Sequence, residues 1–210
     1  MDRIEIKKEA RDKVHGNVWT LFKPILVVIL VSIVLSLPIV IIDPAESTYF
    51  GRSNIWSLAV TLLTMPLIVG LLKYYLAFVR GKKFSMSMLP SGYKDGLLIV
   101  VMTFIINMIV SIGMVLLIVP GIIAMTGLAM VFYLIADGRD KDFSALSGSW
   151  RLMNGYKWNY AVLMLSFLGW ILLACLTFGL LLIWLLPYVY TTETIYYDRL
   201  RKVNAKALAK

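Results

Sequence analysis

Long apolar runs separated by short polar segments set the pattern of this chain. The longest, Leu97 to Ala136, contains no Asp, Glu, Lys, Arg or His. It is about twice the ~20 residues an α-helix needs to cross a bilayer, so it predicts two crossings in antiparallel order. Gly113, Pro120 and Gly121 supply places to turn or kink within it. Either the turn lies near Gly113 and Pro120 kinks the second helix, or the turn is at Pro120-Gly121 itself.

The flanking sequence reads as two more hairpins. Helix 1 is predicted over about Thr20 to Ile42, with Pro38 near its far end, and helix 2 over about Ile55 to Val79. Asp43 to Asn54 forms a polar loop between them. Helix 5 is predicted over about Tyr160 to Leu176 and helix 6 over about Leu180 to Tyr197, with a turn near Thr177-Phe178-Gly179. Met1 to Val18 mixes both charge signs around a thin apolar stripe of Ile4, Ala10, Val14 and Val18. It reads as a short amphipathic helix on the membrane surface, ending at Gly16. Arg80 to Asp95 is a basic loop. In Asp137 to Asn159, Ser144 is positioned to cap a second surface helix that stops at Gly155. Leu146, Ser149, Trp150 and Met153 share one face of it by helical spacing.

The expected fold is an all-α membrane protein of six transmembrane helices in three hairpins, with amphipathic elbow helices on the cytoplasmic side. Residues 1–210 then form one polytopic domain. Its parts are a cytoplasmic amphipathic segment (1–19), hairpin 1 (20–79), a basic loop with hairpin 2 (80–136), an elbow with hairpin 3 (137–197), and a basic tail (198–210).

Composition strengthens this reading. The chain is 60% hydrophobic and 16% charged, with mean hydropathy +0.82. A soluble domain is nearer half apolar and a quarter charged. The first apolar run is too long for a signal-peptide core, and no small-x-small cleavage site follows it. The single Cys175 excludes an intrachain disulfide and reads as a small packing residue.

The net charge of +9 sits beside the apolar runs. Segments 1–19, 80–96, 137–159 and 198–210 hold 18 of the 21 Lys and Arg, whereas loop 43–54 holds only Arg52. That asymmetry predicts cytoplasmic amino and carboxyl termini. A five-helix arrangement would put the basic tail outside. Arg80, Lys82, Lys83, Arg151, Lys157, Arg199, Arg201 and Lys202 become candidates for contact with anionic lipid headgroups. Nucleic acid is not an expected partner.

The three hairpins resemble one another. Gly16-Asn17-Val18-Trp19, Gly92-Tyr93-Lys94-Asp95 and Gly155-Tyr156-Lys157-Trp158 precede the odd helices. Pro66, Pro120 and Pro187 lie in the outer part of the even helices and are candidate kinks. Tyr74-Tyr75, Phe132-Tyr133 and Tyr196-Tyr197 close them.

A family resemblance rests on Val119-Pro120-Gly121-Ile122-Ile123, on Ser144 followed by Ser149-Trp150-Arg151-Leu152-Met153-Asn154-Gly155-Tyr156-Lys157-Trp158, and on Leu168-Gly169-Trp170. It continues through Leu185-Leu186-Pro187-Tyr188 and Thr191-Thr192 to Tyr196-Tyr197, and the opening Ile6-Lys7-Lys8-Glu9-Ala10-Arg11 also fits. In this order the residues resemble the bacterial multipass membrane family called domain of unknown function 975. That family is similar to the membrane domain attached to some glycerophosphodiester phosphodiesterases. The resemblance implies a multipass protein of the bacterial cytoplasmic membrane. It carries over no catalytic residue, and Glu193 departs from its usual small or apolar residue.

Candidate chemistry is sparse. The one His, His15, lies in the amphipathic start, and a zinc site needs three or four ligands. No phosphate-binding loop, catalytic serine arrangement or paired aspartate is apparent. The expectation is a non-enzyme without cofactor or metal. Charged and polar residues within the apolar runs stand out because lipid makes them costly. Lys73 and Glu193 lie at similar depth on helices 2 and 6, which predicts a pair across them. Asn107, with Thr103 and Ser111, forms a polar stripe on helix 3 that packs a neighbour or lines a path. The expected role is a scaffold or accessory protein binding membrane-protein partners or anionic lipid. The alternative is a transporter or channel-like protein for a small or amphipathic solute.

Overall fold

The structure, a computed structural model, describes residues 1–42, 52–139 and 142–204. The described residues are helical and contain no strand. The order is α1 (Arg3–Val14), α2 (Val18–Ile42), α3 (Arg52–Val79), a 3-10 segment (Met86–Asp95), α4 (Gly96–Leu116), α5 (Ile118–Leu128), α6 (Val131–Ala136), α7 (Ser144–Leu152), α8 (Lys157–Leu165), α9 (Leu168–Leu176) and α10 (Leu182–Val203). Most of the loop expected at Asp43 to Asn54 lies outside the described residues, as does the end of the tail.

Five stretches are long and apolar enough to cross a membrane: Val18–Pro38, Ala59–Val79, Met86–Leu116, Ile118–Ala136 and Lys157–Leu176. Large apolar side chains point outward along them, from Leu30 to Leu172. A water-soluble protein avoids contiguous patches of that kind, so this is a membrane protein. α10 stands where a sixth crossing was expected, but it carries Glu193, Asp198 and Arg199 and falls outside the five.

Each connection has a local cause. Asp2 caps α1 by accepting from Ile4 N–H at 2.9 Å, and Gly16 leaves the helix with φ +82°. Ile6, Ala10 and Val14 are buried, and α1 packs on α10. The inward stripe therefore runs through Ile6; Ile4 is exposed. α1 is a packed part of the bundle rather than a helix lying free on the surface.

α2 and α3 pair through tyrosines. Pro24 has no N–H, which releases the carbonyl of Thr20. The Tyr74 hydroxyl donates to that carbonyl at 3.0 Å, and the next hydroxyl, Tyr75, donates to Leu21 O at 2.8 Å. Such satisfaction of freed carbonyls lets proline persist within a membrane helix.

The basic loop expected at Arg80 to Asp95 folds back on the bundle. It turns at Gly81 and runs back along α3 as the 3-10 segment. Leu89 lies against Gly70 and Gly92 against Pro66, so closely that a Cβ on either glycine would meet backbone within 2 Å. The Tyr93 hydroxyl then donates to Leu63 O.

α4 and α5 form a hairpin whose turn is Leu117, in extended conformation. Neither expected turn is used. Gly113 and Gly121 instead face each other across the hairpin, where a Cβ on Gly113 would sit 3.0 Å from the Gly121 Cα. Pro120 falls in the first turn of α5, where a missing N–H costs no bond, so it makes no mid-helix kink. Pro66 and Pro187 do lie inside helices α3 and α10.

The two helices after that turn are each interrupted. The return limb breaks between α5 and α6, and helix 5 breaks between α8 and α9. α10 starts after Thr177 to Leu181, where Phe178 and Gly179 have positive φ, and continues six residues beyond the expected end at Tyr197. α7 begins at Ser144, with Phe143 in the capping position that Ser144 was expected to fill.

Candidate functional site

Two polar groupings lie within the bundle. The first joins helix ends. Arg80, just after α3, donates from Nη1 to Asp137 at the end of α6, and from Nη2 to Asp198 on α10 at 2.7 Å. Arg201 donates to Asp137 at 2.7 Å, and the Tyr197 hydroxyl does so at 3.1 Å. Arg199 turns the other way and binds Glu5 and Glu9 of α1 at 2.9 and 2.6 Å. Four elements are thereby tied at one end of the bundle. Burial opposes ionisation of Asp137, but the hydrogen bonds and charge of Arg80, and then of Arg201, outweigh it. They hold the carboxyl below the usual aspartate range. Burial likewise works against the charge on Arg80, and its two carboxylate partners more than reverse this.

The second grouping surrounds Glu193. The Tyr133 hydroxyl donates to one carboxylate oxygen at 3.2 Å and the Tyr160 hydroxyl to the other at 3.1 Å. Beside them is a cavity of about 380 Å³, walled by Ile68 and Leu72 of α3, Met125 of α5, Phe132 of α6, Met164 of α8 and Tyr190 of α10. Both interrupted helices contribute to this wall. A stack of the Tyr133 ring on Tyr197, with centroids 5.3 Å apart, connects the two groupings.

The interruptions are held from outside their own helices. At the first, Met130 N–H donates to the Ser149 hydroxyl at 3.2 Å, and that hydroxyl donates to Gly127 O at 2.8 Å. Trp150, the next residue, covers Gly127, and Lys157 Nζ sits 3.1 Å from the centroid of a Trp150 ring. At the second, Lys7 of α1 donates to the Ser166 hydroxyl at 2.8 Å and lies over the Phe167 ring.

The expected pair of Lys73 with Glu193 does not form. Lys73 lies 3.8 Å from Asp95 and donates to Ser91 O, both on the stretch folded back along α3, while Glu193 takes two phenols. Asn107 is exposed and donates to Thr103 O within its own helix, so it does not line the cavity. Of the residues expected to meet lipid headgroups, Arg80, Arg199 and Arg201 are engaged within the protein and Lys157 on Trp150. Lys82, Lys83, Arg151 and Lys202 remain exposed. Cys175 is also exposed, on the apolar flank of α9.

Asp137, Asp198 and Tyr160 were not singled out by the sequence reading, and Tyr133 was read only as one of the aromatics closing an even helix. The acids were hidden among basic neighbours. The tyrosines looked like interface aromatics, and a tyrosine buried with a carboxylate gives no pattern of its own.

A family model described as protein of unknown function (DUF975) matches residues 95–204, a little over half of the chain. It includes Ser149, Tyr133, Tyr160 and Glu193 and leaves out the opening Ile6 to Arg11. No curated protein and no solved structure matches.

Proposed function

The chain belongs to the DUF975 family, and we propose that it is a multipass protein of the bacterial cytoplasmic membrane that binds and moves a small amphipathic solute. The observation that carries this reading is the apolar cavity with a carboxylate in its wall, bounded by two interrupted helices. Transporters place solute sites where helices are broken, because broken helices bring polar groups into the membrane and give a bundle room to rearrange. The reading uses six crossings, with α10 as the sixth, and cytoplasmic termini. Arg80, Asp137, Asp198 and Arg201 then close the cytoplasmic end. No catalytic step is part of it.

The test is purification in lipid nanodiscs with mass spectrometry of co-purifying molecules. Wild type should retain a non-lipid solute that is absent from Ala129→Phe, whose ring enters the cavity. A stoichiometric protein partner, with no solute in either sample, overturns the reading.

A second reading, a scaffold for anionic lipid or a membrane partner, is favoured by one observation. Arg80, Arg199, Arg201 and Lys202 border a polar pocket of about 450 Å³ that also holds Glu9 and Asp198. Its exposed Lys202 is the cation placed to meet an anionic headgroup. Loss of bound anionic lipid on Lys202→Glu, with no solute found, would favour this reading.

A further inference from the structure

We propose that the solute of the Glu193 cavity is a monovalent organic cation with an apolar body. This rests on the reading of the cavity as a solute site and narrows its chemistry.

The carboxylate sets the charge. Each oxygen of Glu193 accepts one phenol O–H, which leaves an unused lone pair on each. Among the described residues no Lys, Arg or His forms an ion pair with it. A carboxyl group in an apolar wall keeps its proton unless a positive charge answers it, and a bound cation would supply that charge. The protein provides hydroxyls, and the charge that would ionise Glu193 would come from the solute.

The rest of the wall selects the body of that cation. Ile68, Leu72, Met125 and Met164 offer apolar and adaptable surface, and Tyr133 and Tyr160 bring aromatic rings beside the carboxylate. Aromatic rings with a nearby carboxylate are the means by which proteins hold alkylated ammonium groups. The volume is at the lower end of small-molecule sites, which run from about 300 to 1,000 Å³.

Other classes fit worse. An anion would meet Glu193. A polyol would find two hydroxyls, both already engaged. A bare divalent metal ion requires about six oxygen ligands, and the wall supplies one carboxylate and phenols. A neutral lipid would make no use of the carboxylate.

The test uses a matched pair of fluorescent probes: the cation 4-(4-dimethylaminostyryl)-N-methylpyridinium and its uncharged, unmethylated parent. Binding is titrated on protein in phosphatidylcholine nanodiscs, with empty nanodiscs subtracted. The expected result is saturable binding of the cation at least tenfold tighter than that of the neutral parent. Glu193→Gln should remove that preference. Equal binding of both probes to wild type overturns the cation assignment while keeping the cavity as a solute site. No saturable binding of either probe removes both. The comparison within wild type decides the matter even if Glu193→Gln does not fold.

Discussion

The Ser149 hydroxyl accepts Met130 N–H at 3.2 Å, across the gap between α5 and α6. Met130 N–H has lost its helical partner at the break, and a buried unpaired N–H costs about 1–3 kcal/mol. The same hydroxyl donates to Gly127 O, so one side chain satisfies both lips of the interruption. Ser149→Ala is expected to destabilise the protein by about 1–2 kcal/mol, seen as a lower unfolding midpoint in detergent. Ser147→Ala, exposed on the same helix, is the control and should change little. Equal midpoints for Ser149→Ala and wild type would mean that the break needs no support from α7.

Arg80 has to serve two carboxylates at once, Asp137 and Asp198. A guanidinium fork can do so, whereas a lysine ammonium on a flexible stem holds one at a time. Arg80→Lys therefore keeps the charge and loses the bridge. We expect a cost of about 1 kcal/mol for Arg80→Lys and about 2–3 kcal/mol for Arg80→Ala, which abandons two carboxylates that are mostly buried. A stability for Arg80→Lys equal to wild type would reduce the cluster to simple charge balance.

Asp137 also gives a pH dependence whose sign is fixed. Its carboxyl ionises more readily folded than unfolded, because Arg80 and Arg201 outweigh the penalty of burial. Its stabilising contribution is complete above the ordinary aspartate value and is lost as pH falls through the depressed folded value. Thermal midpoints should hold steady from neutral pH to about pH 4 and drop below it. Asp137→Asn should start lower at neutral pH and show a shallower acid drop. An acid limb of unchanged depth would assign the effect to other carboxylates.

The apolar helices were legible because lipid imposes a length and excludes charge, and both are written into consecutive residues. Helix bounds followed for α1 through Gly16 and for the Thr177-Phe178-Gly179 turn, where positive φ demands particular residues. The partners of the charges were not legible. Arg80 meets residues 57 and 118 positions away, and only the assembled helix ends bring them together. Glu193 and Lys73 looked like a pair because opposite charges at equal depth attract, but tyrosines can satisfy a carboxylate equally well. The return of residues 86–95 along α3 depends on Gly70 and Gly92 removing side chains from both sides of one contact. Nothing in either glycine's own neighbourhood announces that.

The sixth crossing turns on α10, which hydropathy alone does not select. Its 22 residues span about 33 Å as a helix, with the last turn and a half, from Asp198, at its charged end. Most of the charges that lower its hydropathy are directed inward: Glu193 to Tyr133 and Tyr160, Asp198 to Arg80, Arg199 to α1, with Lys202 exposed on its last turn. A helix with its polar groups committed to the bundle presents an apolar surface to lipid whatever its mean composition. Single cysteines on a Cys175→Ala background test this. Phe178→Cys, at the exposed turn before α10, should react with a membrane-impermeant maleimide from outside intact cells. Lys202→Cys, on its last turn, should react only after permeabilisation. Labelling of both from the same side would mean that α10 does not cross, and would take the Glu193 cavity out of the membrane along with it.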